Sequence, residues 1–124
     1  MQKIIMLGIA GSLGTLARYG LSGFAQRWGG TSFPWGTLAV NIIGCFFAGL
    51  LWAVYENHWQ VSAETRIIVL VGFMGAFTTF SAFMLDTGHI IRTSEWMFVA
   101  ANIVLQNGLG ITFLFAGMFL GRMR

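Results

Sequence analysis

Charge is scarce in this chain: only 9% of its 124 residues are charged, where a soluble domain carries about a quarter. Such a surface cannot be kept in water. With 56% hydrophobic residues and a mean hydropathy of +0.75, lipid is the solvent that the composition fits. Acids are scarcest, four against seven Lys and Arg, for a net charge of +3 and a pI near 9.8. A basic balance points to nucleic acid only when the cations cluster on one solvated face. Here Lys3, Arg27, Arg66, Arg92, Arg122 and Arg124 stand near the ends of apolar runs, and only Arg18 lies deeper. That is the placement of membrane-flanking cations, and it excludes nucleic acid as a partner.

The single cysteine, Cys45, excludes an intrachain disulfide and reads as a small packed hydrophobe. No repeat, low-complexity tract or linker interrupts the chain, so residues 1–124 read as one domain. Gly-rich phosphate loop, His and Cys cluster, and nucleophile with an evident base are all missing. His58 and His89 fall in or near connections. An enzyme is therefore not expected. Nor does any Asp or Glu stand at the middle of an apolar run, which argues against a proton-coupled carrier.

What is present is four apolar stretches: Ile4–Phe24, Trp35–Tyr55, Arg66–Ile91 and Trp96–Leu120. Each runs to roughly 20 to 25 residues, which at about 1.5 Å per residue spans a hydrocarbon core of about 30 Å. The fold class expected is an all-α membrane protein of four transmembrane helices. Polar residues collect in the connections, and Trp28, Trp35, Trp52, Trp59 and Trp96 sit at or near the ends of the stretches, where amphipathic rings prefer the headgroup level. Ser94 reads as the N-cap of the fourth helix. Lys3 before an apolar run imitates a secretory leader, but the run is too long for one and is interrupted by Gly8, Gly11, Gly14 and Arg18. It is expected to remain as a helix.

Four spans put both termini and the second connection on one side. That side holds Lys3, Arg66, Arg122 and Arg124, against Arg27 and Arg92 opposite, with Arg18 undecided. Because Lys and Arg asymmetry sets orientation, two readings stay open: a weakly biased single topology, or insertion both ways.

Polar side chains at bilayer depth need partners or a purpose. In the second stretch Thr37, Asn41, Gly44 and Ala48 recur at spacings of four, three and four and share one face. That face is either a packing seam with Asn41 as interhelical glue or a place where the Asn41 amide offers donors to an anion. In the third stretch Gly75 beside Thr78 and Thr79 is a weak point for helical hydrogen bonding, so a broken helix is expected, its freed carbonyls suited to a small hard cation. Phe77, Phe80 and Phe83 recur at intervals of three and are expected to share a stripe beside Thr79 and Ser81. Such a stripe is packing, or a set of ring edges that stabilises a dehydrated anion. The fourth stretch carries Asn102, Gln106, Asn107 and Thr112, as interhelical hydrogen bonds or a polar lining. Arg18 and Asp86 either pair or reach an interface by snorkelling.

Three runs carry a family resemblance: Gly11-Ser12-Leu13-Gly14-Thr15-Leu16-Ala17-Arg18-Tyr19, then Gly36-Thr37-Leu38-Ala39-Val40-Asn41-Ile42-Ile43-Gly44, and Gly75-Ala76-Phe77-Thr78-Thr79-Phe80-Ser81-Ala82-Phe83. They resemble the motifs of the Fluc, or CrcB, small fluoride channels. The resemblance implies a fluoride-selective channel of the bacterial inner membrane that exports cytoplasmic fluoride passively. It implies an antiparallel, dual-topology homodimer with two pores and a structural Na⁺ at its centre. By the matching motifs, Asn41, Phe80 and Phe83 line the fluoride pathway; Thr79, Ser81 and, from the fourth stretch, Thr112 are assigned to the same pathway. The carbonyls of Gly75 and Thr78 would hold the Na⁺, and Arg18 matches an arginine of the first motif without a stated role. Ala76 and Ala82 depart from the Gly or hydroxyl residues common in relatives, and Asp86 from a common Glu. The rival class is a small multidrug-resistance exporter, which shares four short helices and dual topology but expects a Glu in its first helix, absent here. A third class is an accessory subunit of a larger complex.

Overall fold

The computed structural model describes residues 1–57 and 60–123, so His58, Trp59 and Arg124 lie outside the described residues. Every regular element among them is helical: α1 (Gln2–Gly29), α2 (Trp35–Asn57), α3 (Ala63–Ile67), α4 (Gly75–Phe77), α5 (Phe80–Arg92) and α6 (Trp96–Met123), with a π-helical stretch, Ile68–Met74, between α3 and α4. Four helical units are long and apolar enough to cross a membrane: Gln2–Gly29, Trp35–Asn57, Ala63–Arg92 and Trp96–Met123. Each extends past the apolar stretch that foretold it, because helical hydrogen bonding continues into the polar ends where carbonyls would otherwise need water.

The helices pack through small residues. A Cβ at Gly49 would strike the Leu114 carbonyl, and one at Gly117 would strike the Phe46 carbonyl, so α2 and α6 lie backbone to backbone. Without a hydrophobic force between helices in lipid, such closeness is what holds them. A Cβ at Gly14 would likewise meet the Phe73 carbonyl, which seats α1 against the widened π-helical turns of the third span. Val40, Met74 and Phe77 form the buried centre, with Leu21, Ile43 and Phe73 packed around it.

The connection between α1 and α2 is tied by one side chain. Gln26 Nε2 donates to the carbonyls of Gly30 and Phe33, while its Oε1 accepts the Gly36 N–H at 3.0 Å. Ser94 is not the N-cap expected. It takes a left-handed conformation, φ 61°, in the turn after α5, and the carbonyl of Glu95 accepts the first N–H groups of α6, from Phe98 and Val99. The helix starts at Trp96, one residue later than that cap requires, so Glu95 takes the N-cap position.

The third span is broken within the expected weak point, at its two threonines rather than at its glycine. Gly75 keeps a helical conformation (φ −64°, ψ −32°), and the chain becomes extended at Thr78 (φ −84°, ψ 160°) and Thr79 (φ −153°, ψ 115°). Local propensity marked the neighbourhood; the side chain that opens the helix belongs to α2.

Candidate functional site

That side chain is Asn41. Its Oδ1 accepts the Thr79 N–H at 2.8 Å, and its Nδ2 donates to the Thr79 carbonyl at 3.0 Å and to Gln106 Oε1 at 3.0 Å. Because a backbone N–H can only donate, the amide's orientation is fixed, and both of its N–H groups are engaged. The face that carries Asn41 meets the break throughout: Thr37 Oγ1 donates to Asp86 Oδ2, and Gly44 leaves room for the Thr78 methyl.

Two of the carbonyls ahead of the break lose their ordinary i+4 donors to side chains. The Gly75 carbonyl would be served by Thr79 N–H, which Asn41 takes. The Thr78 carbonyl would be served by Ala82 N–H, which donates instead to Thr79 Oγ1 at 3.1 Å as the cap of α5. Oxygens released in this way at bilayer depth fit a small hard cation. Among the described residues no three of His, Cys, Asp and Glu gather, so backbone oxygen is the donor set that the break supplies.

The phenylalanine stripe does not survive the break. Phe77 stays on α4, buried and stacked on Phe73 at 6.0 Å. Phe80 and Phe83 ride on α5, edge to face, with centroids 5.7 Å apart and planes at 73°. Phe83 is 5% exposed and Phe80 72%, so one ring anchors the pair and the other projects from the chain's surface. Thr79 Oγ1 and Ser81 Oγ lie 3.3 Å apart beside them. Thr112 is exposed on α6 and donates back to the Gly108 carbonyl at 2.8 Å, so the fold does not bring it to the break.

The amides of α6 divide. Asn107 is exposed and bonds its own helix at Ile103. Asn102, fully buried, donates to Thr87 Oγ1 at 3.0 Å, and Gln106 is 7% exposed. Among the described residues, Asn102 Oδ1 and Gln106 Nε2 are buried with no partner. Since Asn41 fixes which end of Gln106 faces it, the opposite end is a donor, and leaving it unpaired costs about 1–3 kcal/mol. Periodicity marked Gln106 as polar, but only the contact with Asn41 gives its amide a direction.

An open cleft of about 1010 Å³ lies between α1, the α1–α2 connection and α5, reaching down to Thr79 and Ser81. Arg18, Arg27, Asp86 and His89 line it, so cations outnumber the single acid along the way to the break. Arg18 is half-buried there, while the Asp86 carboxylate holds the Thr37 hydroxyl. His89 sits in the last turn of α5, near the connection to α6 as expected.

Four apolar spans, a break clamped by a neighbouring amide, and a cleft descending to it have the build of a small multi-pass membrane transport protein. A family model described as CrcB-like protein, Camphor Resistance (CrcB), matches residues 5–118. The chain belongs to that family. It is 56% identical over 122 residues to the fluoride-specific ion channel FluC of Desulforapulum autotrophicum, covering 98% of each chain. It is 48% identical to the protein of the same name from Nitrosococcus oceani, over 94% of this chain and 93% of that one. The like-named protein of Nitratidesulfovibrio vulgaris (strain DSM 19637 / Miyazaki F) is 46% identical over 99% of both. The relatives thus carry the name of a channel, an activity without chemical turnover.

Proposed function

We propose that this chain is a fluoride-selective channel that exports cytoplasmic fluoride passively and works as an antiparallel homodimer with two pores. The observation that carries the reading is the buried Gln106 Nε2, a donor held without a partner among the described residues, beside the broken helix. A small anion that has shed its water needs such donors, and a hydroxyl pair at Thr79 and Ser81 stands at the foot of the cleft. Phe80 projects its ring where a second copy would cover it, and ring edges carry positive charge suited to a dehydrated halide. Four helices about 10 Å across leave no lumen of their own, so the route runs along a junction between copies.

In this reading Asn41 is first a positioning residue, which sets the break and aims Gln106. Phe80 and Phe83 line the pathway with Thr79, Ser81 and Thr112. Arg18 and Arg27 raise the local anion concentration in the cleft. The freed Gly75 and Thr78 carbonyls would hold a structural Na⁺, which would fix the break between copies. In the bacterial inner membrane, fluoride that enters as HF is trapped by dissociation, and an inside-negative potential favours its exit by about 2.3 kcal/mol per 100 mV. The weak asymmetry of Lys and Arg suits insertion in both directions.

Expression in bacteria lacking their own fluoride exporter tests this reading. Growth on millimolar fluoride should be restored; cells that stay as sensitive as the empty-vector control would overturn it.

A further inference from the structure

A second concavity lies away from the break, at the opposite end of the third span. It is an apolar groove of about 350 Å³ between the end of α2 and the start of the third span, lined by Trp52, Tyr55, Glu56, Arg66, Leu70 and Val71 among others. Its position at the ends of two spans puts it at the headgroup level, where Trp and Tyr are the expected rings. Trp52 and Val71 are more than half exposed, so the groove opens toward the lipid.

Arg66 is held at the polar end of this groove. It donates through Nη2 to the Tyr55 carbonyl at 2.7 Å, and its guanidinium carbon lies 5.8 Å from the centre of the Tyr55 ring. An arginine carries five N–H donors, of which the carbonyl takes one. Its Nε is buried without a partner among the described residues, so the donors left for a ligand are those of the terminal nitrogens. At this depth the acceptor that the bilayer supplies is a lipid phosphate, which guanidinium binds with charge-assisted hydrogen bonds. Glu56, next to Tyr55 in the chain, lines the same groove and adds a carboxylate to its polar end. A simple anionic lipid would face the carboxylate uncompensated. A zwitterionic headgroup with a primary ammonium meets both charges, and its acyl chain fits the apolar wall of Leu70 and Val71.

We propose that this groove is a binding site for an aminophospholipid of the ethanolamine class, its phosphate on Arg66, its ammonium on Glu56 and one acyl chain in the groove. The site belongs to a single protomer and is independent of the fluoride reading.

The test uses the full-length protein, delipidated in detergent and offered an equal mixture of ethanolamine, choline and glycerol phospholipids of one acyl composition, with retained lipid weighed by native mass spectrometry. The ethanolamine lipid should be retained about five-fold over either other. Arg66→Gln should drop retention of all three to background, and Glu56→Gln should erase the preference over the choline lipid while fluoride efflux stays at the unmodified level. Should Arg66→Gln fail to fold, the Glu56→Gln comparison still decides. Equal retention of the three lipids, a preference that survives Glu56→Gln, or disulfide linkage of two copies through Trp52→Cys would overturn the proposal.

Discussion

Asn41 brackets the peptide of Thr79: its carbonyl oxygen takes that residue's N–H and its amide nitrogen donates to that residue's C=O. A side chain on one helix thus replaces the backbone partners that an unbroken helix would have given to another. The carbonyl of Gly75 is released as a direct consequence, and the Thr79 hydroxyl, capping α5 at Ala82, releases the Thr78 carbonyl in turn. Two backbone oxygens become available because two side chains intercept their donors.

Asn41→Leu removes all three hydrogen bonds while roughly conserving volume. It leaves Thr79 and Gln106 unpaired at bilayer depth, so thermal unfolding in detergent should show a loss of about 3 kcal/mol or more. Fluoride efflux from liposomes should fall with it. Unchanged melting would mean that the break holds its shape without the clamp.

Gln106→Met keeps the length of the side chain and deletes the free N–H pair. It unpairs one N–H of Asn41, for a stability loss of about 1 kcal/mol. Fluoride flux should nonetheless fall about tenfold or more, equivalent to about 1.4 kcal/mol in the barrier. A flux equal to the unmodified protein's would reduce the amide to a packing partner.

The two rings of α5 should separate stability from transport. Phe83, 5% exposed, is a buried anchor, and Phe83→Ala should cost about 3–5 kcal/mol. Phe80, 72% exposed, supports little of the protomer's own packing, so Phe80→Ile should shift its stability by about 0.5 kcal/mol at most. Its fluoride flux should still drop strongly. Equal flux in Phe80→Ile and the unmodified protein would make the ring a lipid or packing contact.

The spans were legible in the sequence because length and apolarity alone decide whether a segment can cross a bilayer, and all four stretches became helices. The break was legible only as a neighbourhood. Gly75 is the weakest helix former there, yet it remains helical, because the force that opens the chain is a hydrogen-bond contest fought by Asn41 from 38 residues away. The interval-of-three pattern of Phe77, Phe80 and Phe83 assumed one continuous helix, and the extended Thr78–Thr79 pair rotates Phe77 out of register into the core. Thr37, Asn41 and Gly44 were rightly grouped on one face, since nothing interrupts α2. The direction of the Gln106 amide could not be read at all, because it depends on which atom of Asn41 a backbone N–H selects.

The close seam between α2 and α6 makes opposite predictions at two glycines of one helix. Gly117→Ala drives a methyl into the Phe46 carbonyl and should cost about 1–3 kcal/mol as the helices part. Gly108 has open space around its Cβ position, so Gly108→Ala should stabilise by about 0.5–1 kcal/mol through helix propensity alone. Melting temperatures that move the same way for both would contradict the packing described.

Efflux from liposomes bearing the purified chain, followed with ion-selective electrodes after a potassium ionophore clamps the potential, tests the central claim most directly. Fluoride should empty from the vesicles within the mixing time of the experiment while chloride stays inside. Chloride leaving at a rate similar to fluoride, or fluoride retained as in protein-free vesicles, would contradict a fluoride-selective route past Gln106 and Phe80.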